Sequence, residues 1–234
     1  MRVLAAGGGG RAPVVLLPGL GAPGYLVDTL HGCAASAPSY LLDVPGFGER
    51  GPLVCEPELS AMTDVVTGWL SDALDRPAVL FGHSTAAQIV LAVAVRRPEL
   101  AEALVLAGPT FPPRLRRLGP LALAFLRDVV HESPAALPGT VPAYLRAGPA
   151  RLLRFIRSAQ RDEPERLMPQ VRCPVRVVRG RHDTISPSGW AQSLADAAPR
   201  GSLVTVPGPH TFPATSGGLT ARLITAAGDR ASER

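Results

Sequence analysis

Leu80-Phe81-Gly82-His83-Ser84-Thr85-Ala86 decides how this 234-residue chain is read. An apolar run, Ala78-Val79-Leu80-Phe81, ends in Gly-His-Ser, and a helical pattern over 84–97 begins at once, stopped by Pro98. A buried strand delivered straight into a helix belongs to α/β architecture. The same rhythm continues on both sides. Pro13–Pro18, Tyr40–Asp43, Ala103–Ala107, Val175–Val178 and Leu203–Val206 are short, mostly apolar runs, and Gly, Pro or Asp follows nearly every one. Parallel strands covered on both faces read this way. Helical candidates lie between them at 25–36, 57–75, 187–198 and 213–227, and Ser60 and Thr63 offer capping side chains to the second. The alternation predicts a mostly parallel α/β sheet with flanking helices and right-handed crossovers. One interval breaks the rhythm. From Phe111 to Val171 there is no strand candidate, only apolar and Arg-rich helical pieces at 115–130, 140–148 and 149–160. An insertion leaving the carboxyl end of a strand is placed to cover the region where open α/β sheets bind ligands. The chain therefore divides into a core, 1–110 and 172–234, and an inserted helical cap, 111–171.

Composition narrows the class. At this length one domain is expected, large enough to bury about 70% of its unfolded surface without staples. A chain 46% hydrophobic and 18% charged is not disordered. Its 24 Gly and 25 Pro follow no period, which excludes collagen. Three Cys, at 33, 55 and 173, are odd in number and lack metal-ligand spacing. No disulfide framework and no metal are expected, and a reducing cytoplasm is the simpler compartment. The apolar run at the start is too short for a signal peptide, and no stretch of about 18 apolar residues suggests a membrane span. All 24 basic residues are Arg. Without Lys, the phosphate loop G-x-x-x-x-G-K-[ST] is impossible.

The net charge of +5 is uneven: segment 111–181 holds 14 Arg against 5 acidic residues, and the remainder 10 Arg against 14. A basic middle on an acidic body attracts an anionic substrate or an acidic partner; the plainer alternative is a set of solvated helix faces. Nucleic-acid binding is not expected, because the segment lacks aromatic interleaving and any helix-turn-helix, zinc-finger or RRM pattern. The Gly7–Gly10 run and the tail after 227 are expected to be flexible.

Two more strand ends carry chemistry. Val177-Val-Arg-Gly180-Arg-His-Asp183 places an Asp three residues past a Gly, and Val206-Pro-Gly-Pro-His210 places a His on the next loop. With Gly82-His83-Ser84-Thr85-Ala86, these motifs resemble the serine-nucleophile members of the α/β-hydrolase fold superfamily. The resemblance spans about residues 13 to 225, with 111–171 as a variable cap. It makes Gly82–Ala86 the nucleophile elbow G-x-S-x-G, with Ala86 in place of the last Gly. Gly82 gives the turn room, and the residue two after the serine must be small because helix and strand pack closely there. The chain order Ser84, Asp183, His210 is that of the family's triad. Leu16-Leu17-Pro18-Gly19-Leu20-Gly21 looks like the family's oxyanion loop with Pro in place of His. The backbone N–H groups of Leu20 and Thr85 are then the oxyanion donors. Asp43-Val-Pro-Gly46-Phe-Gly48-Glu-Arg50 resembles the family's D-x-P-G-x-G turn and is read as structural.

The plain alternatives are a helix-capping role for Asp183 and a satisfied loop histidine at 210. His83 is expected to pack beside the elbow. His182, next to Asp183, is the rival base, and His31 and His131 have no evident partner. The resemblance implies hydrolysis of a carboxylic ester through an acyl-enzyme, without cofactor or metal. Thioester hydrolysis, C–C bond hydrolysis and acyl transfer or cyclisation use the same triad, and a non-catalytic ligand receptor uses the same fold. The expected partner is a small-molecule acyl substrate, with a lean from the basic cap toward an anionic or carrier-bound one, and neither nucleic acid nor membrane. Leu121, Leu123, Phe125, Leu126, Phe155 and Ile156 are expected to face the sheet or the acyl pocket, and the cap arginines to face outward or line the entrance.

Overall fold

The computed structural model describes residues 1–49 and 51–232. Among these, seven strands form one sheet in the order β1-β3-β2-β4-β5-β6-β7. They are β1 (Arg2–Ala6), β2 (Val14–Leu17), β3 (Ser39–Asp43), β4 (Ala78–His83), β5 (Ala101–Ala107), β6 (Val175–Gly180) and β7 (Gly201–Val206). All neighbours run parallel except β1, which lies antiparallel on β3 with Arg2 opposite Asp43. The strands alternate between two buried faces, which is why they read as unbroken apolar runs. Val15, Leu17, Leu80, Leu104, Leu106 and Val177 belong to one core. Val14, Leu16, Val79, Phe81, Val105 and Val178 belong to the other.

The helices are α1 (Val27–Ala34), α2 (Leu59–Ala73), α3 (Thr85–Arg96), α4 (Leu118–Val129), α5 (Leu137–Ala147), α6 (Pro149–Arg161), α7 (Pro164–Leu167), α8 (Ser188–Ala197), α9 (Phe212–Thr215) and α10 (Gly217–Ser232). α1 and α10 pack on each other over one face, and α2, α3 and α8 line the other. The chain runs from β2 outward to β3, then returns to place β4 on the far side of β2. That reversal sets the end of β2 beside the end of β4, with Leu17 paired to Gly82. Ligands of open α/β sheets bind at such a switch point.

Several expectations need correction. β1 was not foreseen: it is a half-exposed edge strand whose short, weakly alternating sequence gives little signal. Neither Ser60 nor Thr63 caps α2; both lie inside it, and Thr63 bonds back to the Leu59 carbonyl. The free Leu59 N–H instead donates to Ser158 Oγ of α6 at 3.0 Å. The tail after 227 is helical as far as Ser232, extended by the good helix formers Ala226, Ala227 and Ala231. Arg50, which closes the D-x-P-G-x-G stretch, and Glu233 and Arg234 of the tail lie outside the described residues.

The four helices α4–α7 stand between β5 and β6. α6 is seated by Phe155 and Ala159, both buried, and by Gln88 Nε2 donating to the Ala159 carbonyl at 2.9 Å. α4 touches the rest of the protein through Leu121, Ala124 and Asp128, one stripe at helical spacing. Leu123, Phe125 and Leu126 point the other way and are exposed, Leu126 at 68%. The expectation that they face the sheet or a pocket fails for Phe125 and Leu126 because one stripe is all that α4 buries, whereas Leu123 borders a cavity beside Asp183. Ile156 is half-buried. Among the arginines, Arg116 is held within the segment by Glu165, while Arg154, paired with Glu56 and Glu58, fastens the segment to its surroundings. Arg146 likewise donates to the Phe47 and Gly48 carbonyls. No helix among the described residues is long and apolar enough to cross a membrane.

Candidate active site

The turn between β4 and α3 is as tight as its sequence requires. Ser84 has φ 57° and ψ −124°, a left-handed conformation that an L-residue holds only when its surroundings enforce it. A Cβ on Gly82 would lie 2.4 Å from the Ala86 carbonyl oxygen, so position 82 admits no side chain. The methyl of Ala86 is accommodated and 1% exposed.

Two loops bring partners to Ser84. After β6, Arg181–Pro187 carries Asp183; after β7, Pro207–Thr211 carries His210. Asp183 Oδ1 accepts the N–H groups of Ile185 and Ser186 at 2.9 and 2.6 Å. Its Oδ2 lies 3.0 Å from His210 Nδ1. Asp183 thus closes its own turn as well as facing the histidine, but it does not cap α8, whose N-cap is Pro187. The buried guanidinium of Arg179 donates to the Asp183 and Ser186 carbonyls and fixes the turn from behind. His210 Nε2 lies 2.9 Å from Ser84 Oγ. A carboxylate only accepts, so Nδ1 carries the ring proton and Nε2 is free to accept from the serine. Gly108, at the end of β5, has φ +52°, and a Cβ there would come within 3.0 Å of the His210 ring. Burial disfavours a charged His210, but the charge and hydrogen bond of Asp183 outweigh it, with Asp128 and Glu132 adding, and its pKa is raised.

Leu20 sits at φ 45° in the loop after β2, and its N–H donates to Thr85 Oγ1 at 3.1 Å. The two expected oxyanion donors are therefore adjacent, and Leu20 already has a weak acceptor that an oxyanion must displace. The Asp43 turn is structural, as read: Asp43 Oδ1 accepts from Gly48 N–H at 3.0 Å, and Pro45 and Phe47 pack against Gly21.

All five residues singled out from the sequence (Ser84, Asp183, His210, Leu20 and Thr85) converge. The rival does not: His182 is exposed and stacks on His131, ring centroids 4.7 Å apart. His83 packs beside the elbow with both nitrogens engaged. Its Nε2 bonds the His210 carbonyl at 3.0 Å and its Nδ1 the Tyr25 hydroxyl at 2.6 Å. Burial first, then the neighbouring His210, holds its pKa down at about 3, so the ring is neutral. Tyr25, Asp128 and Glu132 were missed. Asp128 did leave a trace, as the lone acid, beside Arg127, in the mostly apolar run 121–130.

A mostly parallel sheet with a serine at the switch point, and a histidine and a carboxylate in line behind it, is the arrangement of the alpha/beta hydrolases. The chain belongs to the alpha/beta hydrolase family, whose model matches residues 14–222. It is 26% identical over 207 residues to the pimeloyl-[acyl-carrier protein] methyl ester esterase of Neisseria meningitidis, covering 77% of this chain and 79% of that protein. It superposes on a thermophilic esterase from Thermogutta terrifontis with a TM-score of 0.77 at 21% identity, over 99% of this chain and 93% of that one. A bromoperoxidase from Bacillus anthracis gives a TM-score of 0.80 at 16% identity, over 96% and 94%. At such identities the two structures speak for the fold alone.

Proposed function

We propose that the chain is a serine hydrolase that cleaves a carboxylic ester through an acyl-enzyme. The observation that carries this reading is the unbroken line from Ser84 Oγ to His210 Nε2, 2.9 Å, and from His210 Nδ1 to Asp183 Oδ2, 3.0 Å. A serine hydroxyl is a weak nucleophile and needs an adjacent base. His210 takes its proton as the oxygen attacks the ester carbonyl. Asp183 holds the ring and stabilises the imidazolium. The N–H groups of Leu20 and Thr85 receive the oxyanion, each worth about 3–4 kcal/mol in comparable sites. His210 then returns its proton to the departing alkoxide, and water, activated by the same ring, releases the acid.

In this reading residues 111–171 form a cap on a core of 1–110 and 172–234. The substrate is a small acyl ester. The exposed arginines of the inserted helices and the carrier-protein ester named for the Neisseria relative support an anionic or carrier-bound one. The test is labelling with a fluorophosphonate, followed by turnover of p-nitrophenyl esters, acyl thioesters and vinylogous diketones. Wild type should be labelled and should prefer the esters, while Ser84→Ala should fold, resist labelling and lose activity by orders of magnitude. Retention of more than about a tenth of turnover in Ser84→Ala removes the nucleophile from Ser84. Labelling with a preference for thioesters or diketones moves the reaction to those bonds.

A further inference from the structure

Helix α4 reaches past its own packing contacts into the loops that carry the acid and the base. Asp128, 2% exposed, spans both of them. Its Oδ1 accepts the N–H of Thr184, next to Asp183, at 3.2 Å, and its Oδ2 accepts the N–H of His210 itself at 3.3 Å. One turn on, Glu132 accepts the Thr211 N–H at 3.0 Å with Oε1 and the Thr211 hydroxyl with Oε2. The Thr184 hydroxyl donates to the Ala124 carbonyl of α4 at 2.6 Å. Outside these bonds, His131 at the end of α4 stacks on His182 of the acid loop. None of these groups attacks, donates to or accepts from the reacting atoms in the mechanism above.

We propose that Asp128 and Glu132 are positioning residues of the reaction: borne by an inserted helix and the turn that follows it, they clamp the two loops so that His210 is aligned on Ser84 only while α4 is seated. This rests on the triad reading of Ser84, His210 and Asp183. The physical argument is geometric. Both loops leave edge-side strands and are otherwise short and irregular, and a displacement of the base of about 1 Å is enough to lower turnover about 100-fold. The clamp also has a charge. Asp128 faces Glu132 in the turn after its own helix, Asp183 and the Thr184 N–H on the acid loop, and His210 on the base loop. Burial, then the hydrogen bond with Glu132, pushes the Asp128 carboxyl up to about 7, while the charge of His210 and the Thr184 N–H pull the other way. Both carboxyls also face His210 and raise its pKa.

The test is steady-state hydrolysis of p-nitrophenyl butyrate across pH by wild type, Asp128→Ala, Asp128→Asn, Glu132→Gln and Ser84→Ala, with circular dichroism on each. Asp128→Ala is expected to lower kcat about 10- to 100-fold with KM little changed. Asp128→Asn, which keeps one acceptor oxygen, should recover part of that loss. Glu132→Gln and Asp128→Asn should both move the acid limb of kcat/KM to lower pH, because each takes away a carboxyl that raises the pKa of His210. If Asp128→Ala does not fold, the shift in Glu132→Gln decides, since the amide oxygen can still accept from Thr211. An inactive Ser84→Ala beside Asp128 and Glu132 variants with wild-type kcat and an unmoved acid limb overturns the clamp and leaves the triad standing. A Ser84→Ala that keeps its turnover overturns the triad, and the clamp with it.

Discussion

The Tyr25 hydroxyl lies 2.6 Å from Nδ1 of His83, and this contact ties three loops of the site together. The His210 carbonyl can only accept, so His83 Nε2 carries the proton and Nδ1 takes the one offered by Tyr25. The phenol oxygen in turn accepts the Gly19 N–H at 2.7 Å. Burial keeps Tyr25 protonated by raising its pKa well above the usual phenol value. A single buried chain thus runs from the loop bearing Leu20, through the elbow, to the loop bearing His210.

Tyr25→Phe should expose the value of that chain. It leaves the Gly19 N–H and His83 Nδ1 buried without partners, at about 1–3 kcal/mol of lost stability. For a domain of this size Tm should fall by roughly 2–4 °C per kcal/mol. On the proposed mechanism kcat falls as well, with KM little changed, because the Leu20 donor loses its support. Thermal melts and ester kinetics measure both, and a variant matching wild type in both would leave Tyr25 as packing alone.

The pH profile should carry the mark of Asp183. His210 must be neutral to accept the serine proton, and its pKa is raised because Asp183, aided by Asp128 and Glu132, outweighs the effect of burial. The acid limb of kcat/KM should therefore lie above the ordinary imidazole value of about 6.5. Asp183→Asn removes the main raising cause, so the limb should move to lower pH, with a smaller loss of kcat than in His210→Ala. Stability follows the same sign. A histidine whose pKa is higher folded than unfolded adds stability that is complete below about pH 6.5 and lost as pH rises through the folded value. The fall of Tm with rising pH over that window should be shallower in Asp183→Asn. An acid limb that stays in place in that variant would mean that another group titrates there.

The sequence made β4, the elbow, Asp183 and His210 legible for one physical reason. Each chemical residue follows a short apolar strand within a few positions, so a parallel sheet must bring them together at one edge. Leu20 and Thr85 were legible because backbone donors depend on the path of the chain, not on side-chain identity. What stayed hidden depends on distant contacts. Tyr25 meets His83 across 58 residues, and Asp128 meets His210 across 82. Asp128 and Glu132 entered the sequence reading only as counts of charge. Apolarity likewise misled for α4: Leu121 is buried while Leu123, Phe125 and Leu126 are not, because composition does not say how much of a helix finds a neighbour.

The surface charge calls for a sharper experiment than composition suggested. Neutralising Arg151, Arg154 and Arg157 together would confound steering with anchoring, since Arg154 holds Glu56 and Glu58 near the start of α2. Arg114, Arg117 and Arg127 are exposed and make no ion pair among the described residues. Arg114 and Arg127 also border a cavity of about 350 Å³ whose wall includes Asp183 and Thr184. These three side chains are free to act on an approaching anion, and two of them stand at the acid loop. Their field at the site is screened once the Debye length drops below about 10 Å, near 0.1 M salt. With Arg114, Arg117 and Arg127 changed to Gln, kcat/KM for an anionic ester should fall severalfold at low salt, and its decline with rising salt should flatten. A neutral ester of equal length should show little slope in either protein. Equal slopes for the two esters, unchanged in the triple variant, would assign these arginines to solubility and leave the choice of substrate to the pocket itself.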